Sequence, residues 1–291
     1  MSVVQRGFLY SLSLCCNAWL LWGCTTIAVP VRGQDAVSNL VARCEMEFRQ
    51  GKTEQALATA SDAIQQGPER AQAWNARGFI YASQGHKSEA LEDFAQAVRL
   101  NRTNAMYQNN LGITYLESGS NPDLALQAFN EALKLGPQSA HTLKHRGMAY
   151  RHLGRFEEAL ADLTTAAALD SQDATIYANR AVIYALRQQY REAKHDLDLA
   201  AGLNNALPEV YQSRGLVEMF LGRFDQAEKD FSHALALGTD DNVLVYNRGI
   251  ARSILGNSTG AREDYERACR EGYLPACGSS RVISRSVGSS L

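Results

Sequence analysis

A pattern of 34 residues recurs along this chain, and a repeat of that length restricts the fold more than any average composition does. Units start at Val37, Ala71, Ala105, Ala140, Ala174, Pro208 and Asn242, with one extra residue in the 118–123 turn of the third. Position 8 of each unit holds Cys44, Gly78, Gly112, Gly147, Ala181, Gly215 and Gly249. Position 20 is Ala in all seven (Ala56 to Ala261), and so is position 27 (Ala63 to Ala268). Position 24 is large in six: Phe94, Phe129, Leu163, Leu197, Phe231 and Tyr265, with Ala60 in the first. This pattern predicts two helices per unit, joined by a turn at position 15, where Gly51, Gly85, Gly119, Gly154, Gly222 and Gly256 stand. Small residues at three positions let helix backbones approach, and the large residue fills the remaining gap. A lone unit cannot bury its apolar face, so stability requires neighbours.

The register resembles the tetratricopeptide repeat across residues 37–275. The resemblance implies an all-α fold, a right-handed α-solenoid of about seven helix-turn-helix repeats. The outermost units depart from the pattern as capping units do: Glu47 and Ala60 in the first, Arg252 and Glu271 in the last. Residues 276–291 read as a short capping segment with a Ser-rich tail.

Residues 1–36 read as an address and a short linker. Gly7 to Val31 carry no charge and are bracketed by Arg6 and Arg32, the pattern of a secretory leader. Twenty-five uncharged residues also suffice to span a bilayer, so a retained anchor stays open. Leu21-Trp22-Gly23-Cys24 resembles a lipobox, which implies lipidation at Cys24; the bulky Trp22 departs from that pattern. The expectation is an exported protein of the periplasm or cell envelope, cleaved, lipidated or anchored at this end.

Only 36 residues precede the array and 16 follow it, too few for a catalytic domain. No Gly-rich phosphate loop or His-Glu-x-x-His sequence occurs. A net charge of −2 argues against nucleic acid, which selects a cationic surface. The chain is therefore expected to be a non-enzyme without cofactor that binds a protein or peptide partner. A glycan-binding subunit and a self-assembling array are the alternatives. By architecture it resembles the small exported tetratricopeptide lipoproteins that serve as adaptors for pilus secretins or cell-wall hydrolases.

The resemblance also implies where a partner docks: a groove lined by the first helix of each unit at positions 2, 5, 9, 12 and 13. Early units place Asn75, Phe79, Ser83, Asn109, Ile113 and Glu117 there; the middle unit places His141, Lys144, Met148, Arg151 and His152. Later units place Val182, Leu186, Leu216, Met219, Phe220, Tyr246, Ile250 and Ile254. A carboxylate clamp for chaperone tails is not expected, because position 9 lacks Asn and only Lys144 is basic at position 5. The partner expected is an extended or helical segment with apolar anchors and one acidic element. Packing between helices is the competing use of the position 9 residues.

His141, His145 and His152 share a helix at spacings that bring them near one face. A His-x-x-x-His pair suits Zn²⁺, yet Lys144, Arg146 and Arg151 crowd it with charge and no Cys or carboxylate assists. The expectation is a basic, pH-responsive patch and no metal. Asn110, Asn179 and Asn247 at position 6, and Arg77, Arg146, Arg180, Arg214 and Arg248 at position 7, repeat at scaffold positions. They are expected to bond neighbouring turns or solvate the surface rather than form a binding ladder. Cys44 reads as a buried thiol. Cys269 and Cys277 resemble half of a Sel1-like motif, in which such cysteines bridge adjacent helices; a disulfide and two thiols both remain open.

Overall fold

The structure is a computed structural model that describes residues 35–119 and 121–279. The leader, its Cys24, and the tail from residue 280 lie outside the described residues. Fourteen long helices are present among the described residues, with no strand. They are α1 (Ala36–Arg49), α2 (Thr53–Gln66), α3 (Ala71–Ser83), α4 (Lys87–Leu100), α5 (Ala105–Glu117), α6 (Pro122–Leu135), α7 (Ala140–His152) and α8 (Phe156–Leu169). There follow α9 (Ala174–Leu186), α10 (Tyr190–Leu203), α11 (Pro208–Phe220), α12 (Phe224–Ala236), α13 (Asn242–Ile254) and α14 (Ser258–Arg270). Each odd-numbered helix packs chiefly on the even-numbered helix that follows it. This is the all-α repeat architecture expected from the register. Contacts divide the chain between Leu169 and Asp170 into two compact units, α1–α8 and α9–α14.

Within α1–α8 the hairpins close on contacts that leave no space for a larger residue. A methyl added at Gly112 would sit 2.6 Å from the Phe129 ring, and one at Gly147 would sit 2.9 Å from Leu163. Phe129 and Leu163 are fully buried. Asn104, Asn121 and Ser139 cap α5, α6 and α7 by accepting from backbone N–H groups of the first turn.

In α9–α14 the same contact recurs at Gly215, whose added methyl would lie 2.5 Å from Phe231, and at Gly249, 2.7 Å from Tyr265. The α9–α10 hairpin carries Ala181 instead and pairs it with Leu197 rather than an aromatic ring; both are buried. Its turn also lacks glycine, and Gln188 takes φ 62° in its place. Beyond α14 a helical turn at 274–279 follows, and a disulfide joins Cys269 to Cys277 with Cα atoms 4.9 Å apart.

The arginines at position 7 differ from expectation. Their partners lie on second helices, not in neighbouring turns. Arg77, Arg146, Arg180, Arg214 and Arg248 each give Nε and Nη2 to both oxygens of the aspartate 16 residues later: Asp93, Asp162, Asp196, Asp230 and Asp264, at 2.6–3.0 Å. Nη1 also reaches back to the preceding second helix: Arg77 to Ser61 at 3.4 Å, Arg146 to Asn130 at 2.8 Å, Arg214 to Asp198 at 3.1 Å and Arg248 to Ser232 at 3.4 Å. A planar fork with five donors can hold its own hairpin and the previous one at once. Trp74, Tyr177 and Tyr211 lie 5.2–5.6 Å from the guanidinium one turn along the same helix.

Two hairpins replace this pair. In the third, Leu111 and Ala128 occupy the two positions, both buried. In the first, Glu47 accepts from Arg43 at 2.7 Å and from Thr59 at 2.6 Å. At the other end Arg252 doubles the pairing, bonding Asp264 at 3.0 Å and Glu228 at 3.0 Å.

Asp196→Ala leaves Arg180 without its carboxylate in a site where the two side chains are 15% and 2% exposed, and should cost about 3 kcal/mol. Arg180→Leu combined with Asp196→Ala copies the third hairpin and should stay within about 1 kcal/mol of the parent. Urea unfolding separates the two cases. A double variant as unstable as the single one would contradict the assignment.

Candidate functional site

In the α1–α8 unit the first helices are tied edge to edge. Asn110 Nδ2 donates to Asn75 Oδ1 at 2.9 Å, linking α5 to α3. Asn109 Nδ2 lies 3.3 Å from His141 Nδ1, linking α5 to α7. On these three helices Asn75, Phe79, Glu117, Lys144 and Arg151 are half-buried, whereas Ser83, His141 and His152 are exposed. The Ser83 hydroxyl donates to Ile80 O at 2.6 Å, and Lys87 Nζ donates to Glu117 O at 2.5 Å. Burial pushes the Glu117 carboxyl up, with Lys87 opposing the shift. Phe79 is held edge-on against Phe48 of α1, centroids 5.4 Å apart.

The remaining residues expected on this face are drawn inward, a correction to the groove reading. Asn109, Ile113 and Met148 are 6%, 5% and 9% exposed. Ile113 and Met148 share a cluster with Leu116, Leu126 and Phe129. Position 9 points at the seam between hairpins, and an apolar residue there gains more from burial than from water.

In the α9–α14 unit Leu216 and Met219 are likewise buried, as is Val182. Leu186, Phe220, Tyr246 and Ile250 are half-buried, and Ile254 is exposed. Phe220 stacks flat on Tyr190, centroids 4.7 Å apart with planes 3° from parallel. Tyr246 lies between Tyr265 at 5.4 Å and Tyr273 at 5.1 Å. Tyr190 opens a second helix, so a reading confined to first helices passes over it. Asn179 donates to Thr175 O of its own helix, and Asn247 is buried.

Family profiles described as tetratricopeptide repeat match residues 71–104 and 213–272, and one described as TPR repeat matches 147–188. The chain carries tetratricopeptide repeats. A TPR repeat-containing thioredoxin of Arabidopsis thaliana is 37% identical over 100 residues, 34% of this chain and 26% of that protein. The chain thus spans about a quarter of the length of this curated relative. Among solved structures, a tetratricopeptide repeat protein from Parabacteroides merdae aligns over 85% of this chain and 98% of its own, at 18% identity and a TM-score of 0.64. PilW, a type IV pilus biogenesis factor, aligns over 72% and 97%, at 20% identity and 0.67. YrrB, a TPR protein with an unusual peptide-binding site, aligns over 62% and 98%, at 21% identity and 0.50. At these identities the likeness is one of fold.

Among the described residues no tetratricopeptide helix is long and apolar enough to cross a membrane. The repeats do bring two of the three α7 histidines together. His141 and His145 have Nε2 atoms 3.3 Å apart and rings at 65°, and His145 lies along the Phe129 ring. Burial, then the adjoining His141 and Lys144, holds the His145 imidazole well below its usual range.

A histidine that stays neutral when folded is outcompeted for protons by its unfolded form. Stability should therefore be fully present above about pH 6.5 and fall as pH drops toward the lowered native value. Thermal melts at pH 7.5 and 5 should show a smaller acid loss in His145→Gln than in the parent. Equal losses would contradict the burial argument.

Proposed function

We propose that this chain is a non-catalytic scaffold of the cell envelope that holds a protein segment against the first-helix face of its repeats. The observation that carries the reading is the row formed by α3, α5 and α7. Their apolar residues, glycines and position 7 arginines serve internal packing, whereas Asn75, Ser83, His141, Lys144, Arg151 and His152 keep surface. Polar and basic groups on a rigid helical surface suit an extended or helical segment with an acidic element. The unusual peptide-binding site of YrrB and the role of PilW in type IV pilus biogenesis fit a binding scaffold of this fold.

The envelope assignment rests on two features. The uncharged run from Gly7 to Val31 has the composition of an export leader, with Cys24 placed for lipidation or the run itself retained as an anchor. The Cys269–Cys277 disulfide suits an oxidising compartment.

Cross-linking on intact cells, followed by purification of the chain, tests the docking face. Lys144→Glu with Arg151→Glu should reduce one specific cross-linked partner by about tenfold while the melting temperature is kept. An unchanged partner profile would move the site off this face.

A further inference from the structure

The segment that follows α14 repeats the way in which a first helix begins. Tyr273 N donates to Ala268 O at 2.9 Å, and Ala276 N donates to Tyr273 O at 3.0 Å. Where α3 begins, Ala73 N donates to Arg70 O at 3.0 Å in the same manner. Ala276 shares a cluster with Ala268 and Ala73 shares one with Ala63, both partners standing at position 27, and all four are fully buried. The helical turn at 274–279 is therefore the opening of an eighth first helix, tied to α14 by the Cys269–Cys277 disulfide.

The charges of α14 are matched by those of α1. Between successive hairpins position 25 faces position 7 of the next unit, as Asp198 does Arg214 at 3.1 Å. Position 21 faces position 11, as Lys194 does Glu218 at 3.5 Å and Glu228 does Arg252 at 3.0 Å. On α14 positions 25 and 21 hold Glu266 and Arg262, with side chains 46% and 45% exposed. On α1 positions 7 and 11 hold Arg43 and Glu47, opposite in sign to each. Met46 at position 10 of α1 is 53% exposed, whereas Ile80 and Val217 at that position are buried to 1% and 0%. The face of α1 thus has the chemistry of one that meets a preceding second helix.

We propose that α1 of one copy stacks on α14 of a second copy, Arg43 against Glu266 and Glu47 against Arg262, once a dithiol reductant has opened the Cys269–Cys277 disulfide. While that bond is closed, the 274–279 turn fills the place that the first turn of the incoming α1 needs. In the opening step a thiolate of the dithiol attacks one cysteine sulfur, and the other cysteine leaves as a thiolate. The second thiol of the reductant then displaces the first cysteine and closes the reductant's own disulfide, so that two electrons and two protons pass to the protein. A single helical turn without its tether carries the cost of nucleation on few contacts, and yields to a 14-residue helix that also buries Met46. Cys44 is buried and its thiol is pushed up to about 12, so it takes no part in the exchange. The contact is head-to-tail and makes no use of the α3, α5 and α7 face, so it stands or falls apart from partner docking.

Light scattering of the full chain from about 1 to 100 µM tests the proposal. The oxidised chain should keep the mass of one copy throughout, whereas with dithiothreitol the mass should climb with concentration to at least about twice that value. Cys269→Ala combined with Cys277→Ala should climb without reductant. Glu266→Arg sets two arginines against each other and should hold the reduced chain at the lower mass. Glu263→Arg makes the same charge change at position 22, which stays exposed in every hairpin, and should leave the climb intact. Circular dichroism checks that both reversals keep the helical content of the parent. A reduced chain that stays at the mass of one copy, an oxidised chain that associates as strongly, or equal behaviour of Glu266→Arg and Glu263→Arg would overturn the proposal.

Discussion

The contact on which six of the seven repeats depend is the close approach of a small residue in the first helix to a large one in the second. Five glycines at position 8 leave a Cβ's place occupied by the neighbouring Phe, Leu or Tyr, or by Asp93 beside Phe94. The helices then sit close enough for the alanines at positions 20 and 27 to be fully buried. The α9–α10 hairpin shows the same constraint inverted. Ala181 fills space that a ring takes elsewhere, and Leu197 is smaller in compensation.

That close approach also places the arginine fork. Position 7 precedes the glycine, so its side chain runs across the seam toward the aspartate that precedes the large residue. Both ends are largely out of water, the geometry is bidentate, and a third nitrogen of Arg77, Arg146, Arg214 and Arg248 reaches the previous hairpin. The third hairpin dispenses with the pair and keeps the packing, so the apolar contact is the more general requirement. With these groups engaged inward, the first helices α3, α5 and α7 keep polar and basic side chains at the surface.

The helix pairs and their seams were legible because a 34-residue register repeats the same packing problem seven times. The arginine–aspartate pairs were legible too, but only jointly. Asp stands at position 23 in the same five units that have Arg at position 7 and a Gly or Ala after it, whereas the third has Leu111 with Ala128. Read alone, the arginines resembled a solvated surface. Ile113, Met148, Leu216 and Met219 could not be placed from sequence, since an apolar residue at those positions serves a seam or a groove equally well. The His141–His145 spacing was visible, whereas the approach of Asn109 to His141 depends on how α5 stacks against α7.

The central claim, that a missing Cβ sets the closeness of each hairpin, is tested most directly by two glycine-to-alanine exchanges in neighbouring helices. Gly202 lies in α10 with nothing within 4 Å of an added methyl, and Gly215 lies in α11 with the Phe231 ring at 2.5 Å. Denaturant unfolding should find Gly202→Ala more stable than the parent by about 0.5 kcal/mol, through helix propensity alone. Gly215→Ala should be less stable by about 1–3 kcal/mol, because the ring has no room to retreat. If both exchanges stabilise the chain to the same degree, propensity and not close approach governs position 8, and the account fails.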